Sequence, residues 1–272
     1  MPPTRERIFY LWIVNFNFYK YQGTGNDFII VDNRLQQFPK NDHEGIARIC
    51  DRRFGVGADG LILLEDHPSL DFRMVYYNSD GHLSSMCGNG GRCLVSFARH
   101  MGLIREEAIF EAIDGVHHAR VAERLVQLKM NDVRLLKKEH GGIFLDTGSP
   151  HLVLIKDEVN ALDVQSVGRQ LRNDCYGTEG ANINFVQDLG GNHFQVRTYE
   201  RGVEAETLSC GTGVTAVALA MHHQGKTENS SPVVLETRGG DLSVTFRFEE
   251  DEYSDIWLIG PAQFVFKGDW NA

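Results

Sequence analysis

The chain has 272 residues, of which 42% are apolar and 24% charged, with a formal net charge of -10 at pH 7. That length can bury two modest cores, so two domains are the first expectation. The acidic balance argues against a nucleic-acid or acidic-membrane partner, because phosphates would have to attract Lys and Arg against the overall field.

At the N-terminus, Arg5 and Arg7 precede an apolar stretch from Ile8 to Val14, which imitates the start of an export signal. No A-x-A-like cleavage site follows, and the stretch is far too short to span a bilayer. Residues 1–16 are therefore read as a non-targeting extension, and the protein as cytoplasmic. Next come short runs rich in branched and aromatic residues, Phe28 to Val31, Leu61 to Leu64 and Phe72 to Tyr77, which predict strands. After Gly90, the residues Leu94, Phe97, Ala98 and Met101 form a helical apolar stripe, and Gly102 is placed to end the helix. A join is expected near Met130 to Leu136. Beyond it, Phe194 to Tyr199 predicts another strand, and Val214, Val217, Ala218 and Met221 repeat the helical stripe after Gly213. The last run, Trp257 to Phe266, has no counterpart in the second half and is expected to return to the sheet of the first.

The two halves share more than a general pattern. Thr24-Gly25 recurs as Thr147-Gly148, Gly57-Ala58-Asp59 as Gly180-Ala181-Asn182, Tyr76 as Tyr199, and the segment around Cys87-Gly88-Asn89-Gly90 as Cys210-Gly211-Thr212-Gly213, always 123 positions on. Chance similarity between small domains gives drifting offsets, whereas duplication gives one constant value. The expected fold is α+β, with two pseudo-symmetric domains, each a curved, mostly antiparallel sheet or barrel around one central helix. The first covers residues 17–131 with 258–272 returning to it, and the second covers 132–257.

The five cysteines, Cys50, Cys87, Cys93, Cys175 and Cys210, form neither an even disulfide framework nor a C-x-x-C pair, which indicates free thiols in a reducing compartment. Cys50 and Cys93 fall in apolar helical patterns and Cys175 in a loop, so these three are assigned to packing. Cys87 and Cys210 instead stand directly before a Gly-x-Gly that opens an apolar helix. Unpaired N–H groups and the positive end of the helix dipole stabilise an anion there and lower a thiol's pKa. Facing each other about a pseudo-two-fold axis, the two helix starts would set a thiol on either side of one cleft. Inverting a carbon that bears an acidic hydrogen requires a base on one face and an acid on the other. The same N–H groups would hold the neighbouring carboxylate and stabilise the charge that grows on it.

These residues resemble the diaminopimelate epimerase family from about Asn17 onward, through KYQGTGNDFIIVDNR, FGVGADGL, YNSDGHLSSMCGNGGRC, TGSPH, GANINF and YERGVEAETLSCGTG. The resemblance implies a homodimer that uses no cofactor and no metal, and that converts LL-2,6-diaminopimelate to the meso form in lysine and peptidoglycan precursor synthesis. It implies that Cys87 and Cys210 are the catalytic pair, and that Gly88, Asn89, Gly211 and Thr212 cradle the carboxylate at the reacting centre. Asn26, Asn78, Ser149, Asn182 and Arg201 match substrate contacts, the guanidinium being suited to the distant carboxylate. Glu200 matches the residue that receives the α-ammonium, and Glu200 with His151 those that tune the thiols. Two positions depart from the common pattern: Gly60 where many members carry Gln, and Ser149 where many carry Asn.

Other readings stay open at this point. A proline or hydroxyproline racemase shares the two-cysteine logic, but Arg201 and the asparagines favour a longer substrate with a second carboxylate. Cys87 and Cys210 could form a redox sensor, or the chain could bind an amino acid without reacting it. His151 after Pro150 also suits a turn. His117, His118, His222 and His223 lack metal-site spacing, and Gly88 to Gly91 is followed by no P-loop Lys.

Overall fold

The computed structural model describes residues 15–227 and 232–271. The apolar N-terminal stretch, and with it nearly all of the expected extension, lies outside the described residues. The first half runs β1 (Phe16–Gly23), β2 (Asn26–Asp32), α1 (His43–Cys50), β3 (Gly60–Glu65), β4 (Phe72–Asn78), α2 (Gly88–His100), β5 (Glu107–Ala112), β6 (Gly115–Ala122) and β7 (Leu125–Lys129). After β8 (Leu136–Glu139), the second runs β9 (Gly142–Asp146), β10 (Pro150–Ile155), α3 (Val164–Tyr176), β11 (Asn182–Gly190), β12 (His193–Glu200), β13 (Ala205–Thr207), α4 (Gly211–His223), β14 (Val233–Thr237), β15 (Gly240–Glu249) and β16 (Glu252–Pro261). β17 (Gln263–Trp270) closes the described chain.

The order β2-α1-β3-β4-α2 is repeated as β10-α3-β11-β12-α4. Each set contains a parallel pair that spans a helical crossover, β2 with β3 and β10 with β11, followed by an antiparallel step. The central helices are fixed by burial. α4 buries Gly211 and every residue from Gly213 to Met221, which is the composition of a helix surrounded on all sides. α2 packs Leu94, Phe97 and Ala98 against Phe28, Ile30, Ile62 and Met74 of the surrounding strands. The helices α1 and α3 cover the outer faces of their sheets, with Ile46 and Ile49 on one and Val164 on the other.

The two halves do not form separate sheets. β16 pairs antiparallel with β15 and, on its other side, with β7, so one ladder runs continuously through both. The run beginning at Trp257 pairs with both halves: Thr245 lies opposite Trp257 and Val244 opposite Leu258 on one side, and Leu128 opposite Leu258 on the other. β17 pairs with β1. Cys175 is placed differently from expectation. It lies in the last turns of α3, whose weak apolar pattern, with only Val164 and Gly168 buried, gave little sequence signal.

Candidate active site

The four helices among the described residues begin in two ways. α1 and α3 start at Asp42 and Asp163, whose side chains accept hydrogen bonds from the N–H groups of Gly45 and Ser166. α2 and α4 start at Cys87 and Cys210 and have no side-chain cap. Their first N–H groups are left for another anion.

The two uncapped starts meet. A Cβ on Gly88 would lie 3.7 Å from Gly211 Cα, and Leu258 Cδ2, from the strand that joins the halves, packs against both glycines. Asn89 crosses this junction, its Nδ2 donating to Ser209 Oγ at 3.1 Å and Ser209 O at 3.3 Å. Ser209 Oγ in turn lies 2.7 Å from Thr24 Oγ1 and 3.0 Å from Thr24 O. Thr24-Gly25 is the two-residue turn between β1 and β2, with φ of 48° and 84°. Those left-handed conformations suit a tight hairpin and favour Gly at the second position. The turn delivers Asn26, whose Oδ1 lies 3.5 Å from Cys87 Sγ and whose Nδ2 donates to Asp59 at 2.5 Å. Cys210 Sγ is 3.4 Å from Thr212 Oγ1.

The thiols depart from the expected direction. Burial pushes both Cys87 and Cys210 up, and the Glu200 carboxylate adds to the rise. N–H groups of Gly90 and Asn89 at Cys87, and the Thr212 hydroxyl and Gly213 N–H at Cys210, work in the opposite direction without prevailing. Desolvation, which local sequence does not display, outweighs the helix starts in a cleft this enclosed. Burial likewise raises Glu200, while a 2.9 Å hydrogen bond from Thr207 Oγ1 favours its charged form.

A second group lies around β10 and the end of β12. Asn182 accepts the Arg201 N–H at 2.8 Å and donates to Ser149 Oγ at 2.9 Å. The Arg201 guanidinium reaches the same hydroxyl at 3.3 Å, so Ser149 ties the two together. His151 sits within β10 rather than at a turn and is fully buried, with Nδ1 3.1 Å from Asn184 Nδ2. Burial, helped by Arg201, lowers its pKa to about 3, so the ring is neutral. Asn78 is exposed at the end of β4, opposite Gly60 in the ladder.

Sequence reasoning missed two residues here. Arg92 is fully buried and donates to Asn89 Oδ1 at 2.9 Å, Thr24 Oγ1 at 3.3 Å and Gly88 O at 3.4 Å, with no carboxylate among these partners. Its only sequence signal is a charge four places after Gly88, on the buried side of α2. Asn184 is also fully buried, accepts from Thr198 Oγ1 at 2.9 Å, and stands between His151 and the first turn of α4. Among the described residues, no group of three or more His, Cys, Asp or Glu is placed to hold a metal ion. No helix among them is long and apolar enough to cross a membrane.

Comparison with solved structures places this fold. A PhzF-family phenazine biosynthesis protein from Bacillus anthracis aligns with a TM-score of 0.76 at 13% identity, covering 95% of this chain and 99% of that one. A hydroxyproline epimerase from Agrobacterium vitis aligns with a TM-score of 0.68 at 13% identity, covering 96% and 93%. The fold is therefore the two-half α+β architecture shared by PhzF-type and racemase-type proteins. Sequence narrows the class: residues 18–135 and 143–265 match the family described as diaminopimelate epimerase, and the chain belongs to that family of isomerases. The relative from Flavobacterium psychrophilum, a diaminopimelate epimerase, is 54% identical, covering 92% of this chain and 98% of that protein. The Aquifex aeolicus enzyme of the same name is 38% identical, covering 92% and 96%.

Proposed function

We propose that this epimerase interconverts LL- and meso-2,6-diaminopimelate by a two-base mechanism in which Cys87 and Cys210 act on opposite faces of one α-carbon. The observation that carries this reading is the meeting of two uncapped, cysteine-headed helix starts at Gly88 and Gly211. The N–H groups around Gly88, Asn89, Gly211 and Thr212 would receive the carboxylate of the reacting centre. As one thiolate removes the α-proton, the C–H electron pair moves into that carboxylate, where the helix starts stabilise it. The opposite thiol then delivers its proton to the other face, so thiol and thiolate exchange places with each turnover. Because burial raises both thiols, formation of the thiolate is coupled to substrate binding, when the substrate ammonium offsets Glu200. Asn182, Ser149 and Arg201 are assigned to the distant carboxylate, with Asn26 and Asn78 as further contacts. His151 acts on the thiol through Asn184 rather than by direct contact.

The chemistry needs no group beyond these side chains. The family resemblance implies a place in lysine and peptidoglycan precursor synthesis and, with it, a cytoplasmic enzyme. A homodimer is supported by β17, which ends the ladder among the described residues and leaves Phe264, Val265 and Phe266 exposed.

Incubation of reduced protein with LL-diaminopimelate in deuterium oxide tests the reading. The expected result is epimerisation with solvent deuterium at the α-carbon. Binding without exchange, inversion of proline-like substrates only, or an oxidation-controlled partner in place of turnover overturns it.

A further inference from the structure

Gly60 opens β3 on the face that turns toward α2, directly across the ladder from Asn78 and diagonal to Tyr76. A Cβ on Gly60 would lie 2.5 Å from Tyr76 Cε2 and 3.0 Å from its Oη, so the phenol covers the space that a side chain at position 60 would fill. Phe28 fixes the ring edge-to-face, with centroids 5.9 Å apart. Tyr76 and Met86 also line a cavity of about 350 Å³ beside the segment that leads into Cys87.

The hydroxyl has no hydrogen-bond partner among the described residues, and it is not one of the sealed, unsatisfied polar atoms. A half-buried phenol left in that state is available to a ligand. Gly60 follows Asp59, which accepts from Asn26 Nδ2 at 2.5 Å, and Asn26 Oδ1 lies 3.5 Å from Cys87 Sγ, so the phenol over Gly60 stands on the Cys87 side of the cleft. Apart from burial, the groups that oppose its ionisation include Cys87 and the carboxylates of Asp59 and Glu200.

We propose that Tyr76 is a further substrate-binding residue, its hydroxyl, held over Gly60, accepting a hydrogen bond from the ammonium group on the reacting carbon. This rests on the two-base reading above. In that reading the thiols occupy the two faces of the carbon and the helix starts take its carboxylate. The ammonium is then the remaining polar substituent; Glu200 takes one of its three N–H donors, and a phenol oxygen close to the Asp59 and Glu200 carboxylates can take another.

Tyr76→Phe tests the assignment, because it keeps the ring, its packing on Phe28 and its cover over Gly60. The thermal midpoint is expected to stay unchanged while kcat/KM for LL-diaminopimelate falls about tenfold or more, as expected for losing a hydrogen bond to a charged group. Pimelate, the same dicarboxylate without ammonium groups, serves as a second probe, with an inhibition constant expected to agree within about twofold between wild type and variant if the hydroxyl contacts only the ammonium. Retention of kcat/KM in the variant, or weakening of pimelate by as much as the substrate, overturns the proposal. An inactive wild-type enzyme in the same assay is instead the failure of the underlying reading.

Discussion

Gly88 and Gly211 are in mutual contact at the starts of two different helices: a Cβ on Gly211 would sit 3.5 Å from Gly88 Cα and 2.9 Å from Leu258 Cδ2. A side chain at either position presses on the Leu258 methyl wedged against the two helix starts, at 2.9 Å from Gly211 and 3.3 Å from Gly88. Gly211→Ala is therefore expected to reduce kcat about a hundredfold through a displacement of well under 1 Å, because reacting groups held by such a junction lose alignment quickly. Stability should change by no more than about 1–3 kcal/mol, the usual range for overpacking. Kinetics and a denaturant titration on the same preparation check this. Wild-type kcat in Gly211→Ala contradicts it.

The cysteines should separate into two classes. Cys87→Ala and Cys210→Ala each remove one partner of the acid/base pair and are expected to abolish epimerisation, while the chain still folds. Cys93 is fully buried in α2 and packs beside Gly23. Cys93→Ala is expected to cost about 1 kcal/mol of stability from the lost contacts and to leave turnover largely intact. Deuterium incorporation at the α-carbon reports all three. Full activity in either of the first two removes the two-base mechanism.

Much of this arrangement was legible because duplication writes itself into spacing. The constant offset of 123 positions between Cys87 and Cys210 locates both helix starts, and the apolar stripes after Gly90 and Gly213 locate the helices behind them. What sequence did not reveal depends on long-range contact or on desolvation. The pairing of β16 with β7 joins strands more than a hundred residues apart in sequence, and local periodicity carries no record of it. Arg92 reads as a surface charge until α2 is seen to be central. The thiols looked acidified because a helix start is visible in sequence, whereas the burial that outweighs it is not.

His151 supplies a pH-dependent stability with a definite sign. Its folded-state pKa is lowered from 6.5 to about 3, so the folded ring stays neutral while an unfolded one takes up a proton below 6.5. The unfolded state then binds more protons, and stability falls as pH drops through the window from 6.5 toward 3. At about 1.4 kcal/mol per unit, the loss between pH 7.5 and pH 5 is about 2 kcal/mol from this residue. The geometry supports the direction: the amide Nδ2 of Asn184 faces Nδ1 at 3.1 Å, so a proton placed there meets a donor. His151→Gln should flatten the pH dependence of urea unfolding relative to wild type. Parallel curves for the two proteins would show that His151 is not the group responsible.

Ser209 is where the second half holds the turn of the first. Its hydroxyl donates to Thr24 O at 3.0 Å and accepts from Asn89 Nδ2 at 3.1 Å, and all three residues are buried. Ser209→Ala strips Thr24 O of this donor and leaves Asn89 with a weaker set, Ser209 O and Asn26 Oδ1, each at 3.3 Å. Unmatched buried polar groups cost about 1–3 kcal/mol, so the urea midpoint should fall by that equivalent with an unchanged slope. Function should suffer by a different route. Asn26 and Asn89 flank Cys87, and both depend on the Thr24-Gly25 turn staying pressed against Ser209, so KM is expected to rise even at temperatures where the variant is fully folded. A variant with lowered stability but wild-type KM at low temperature would mean that the turn is held by the close backbone approach of Gly239 and by Arg92 without help from Ser209.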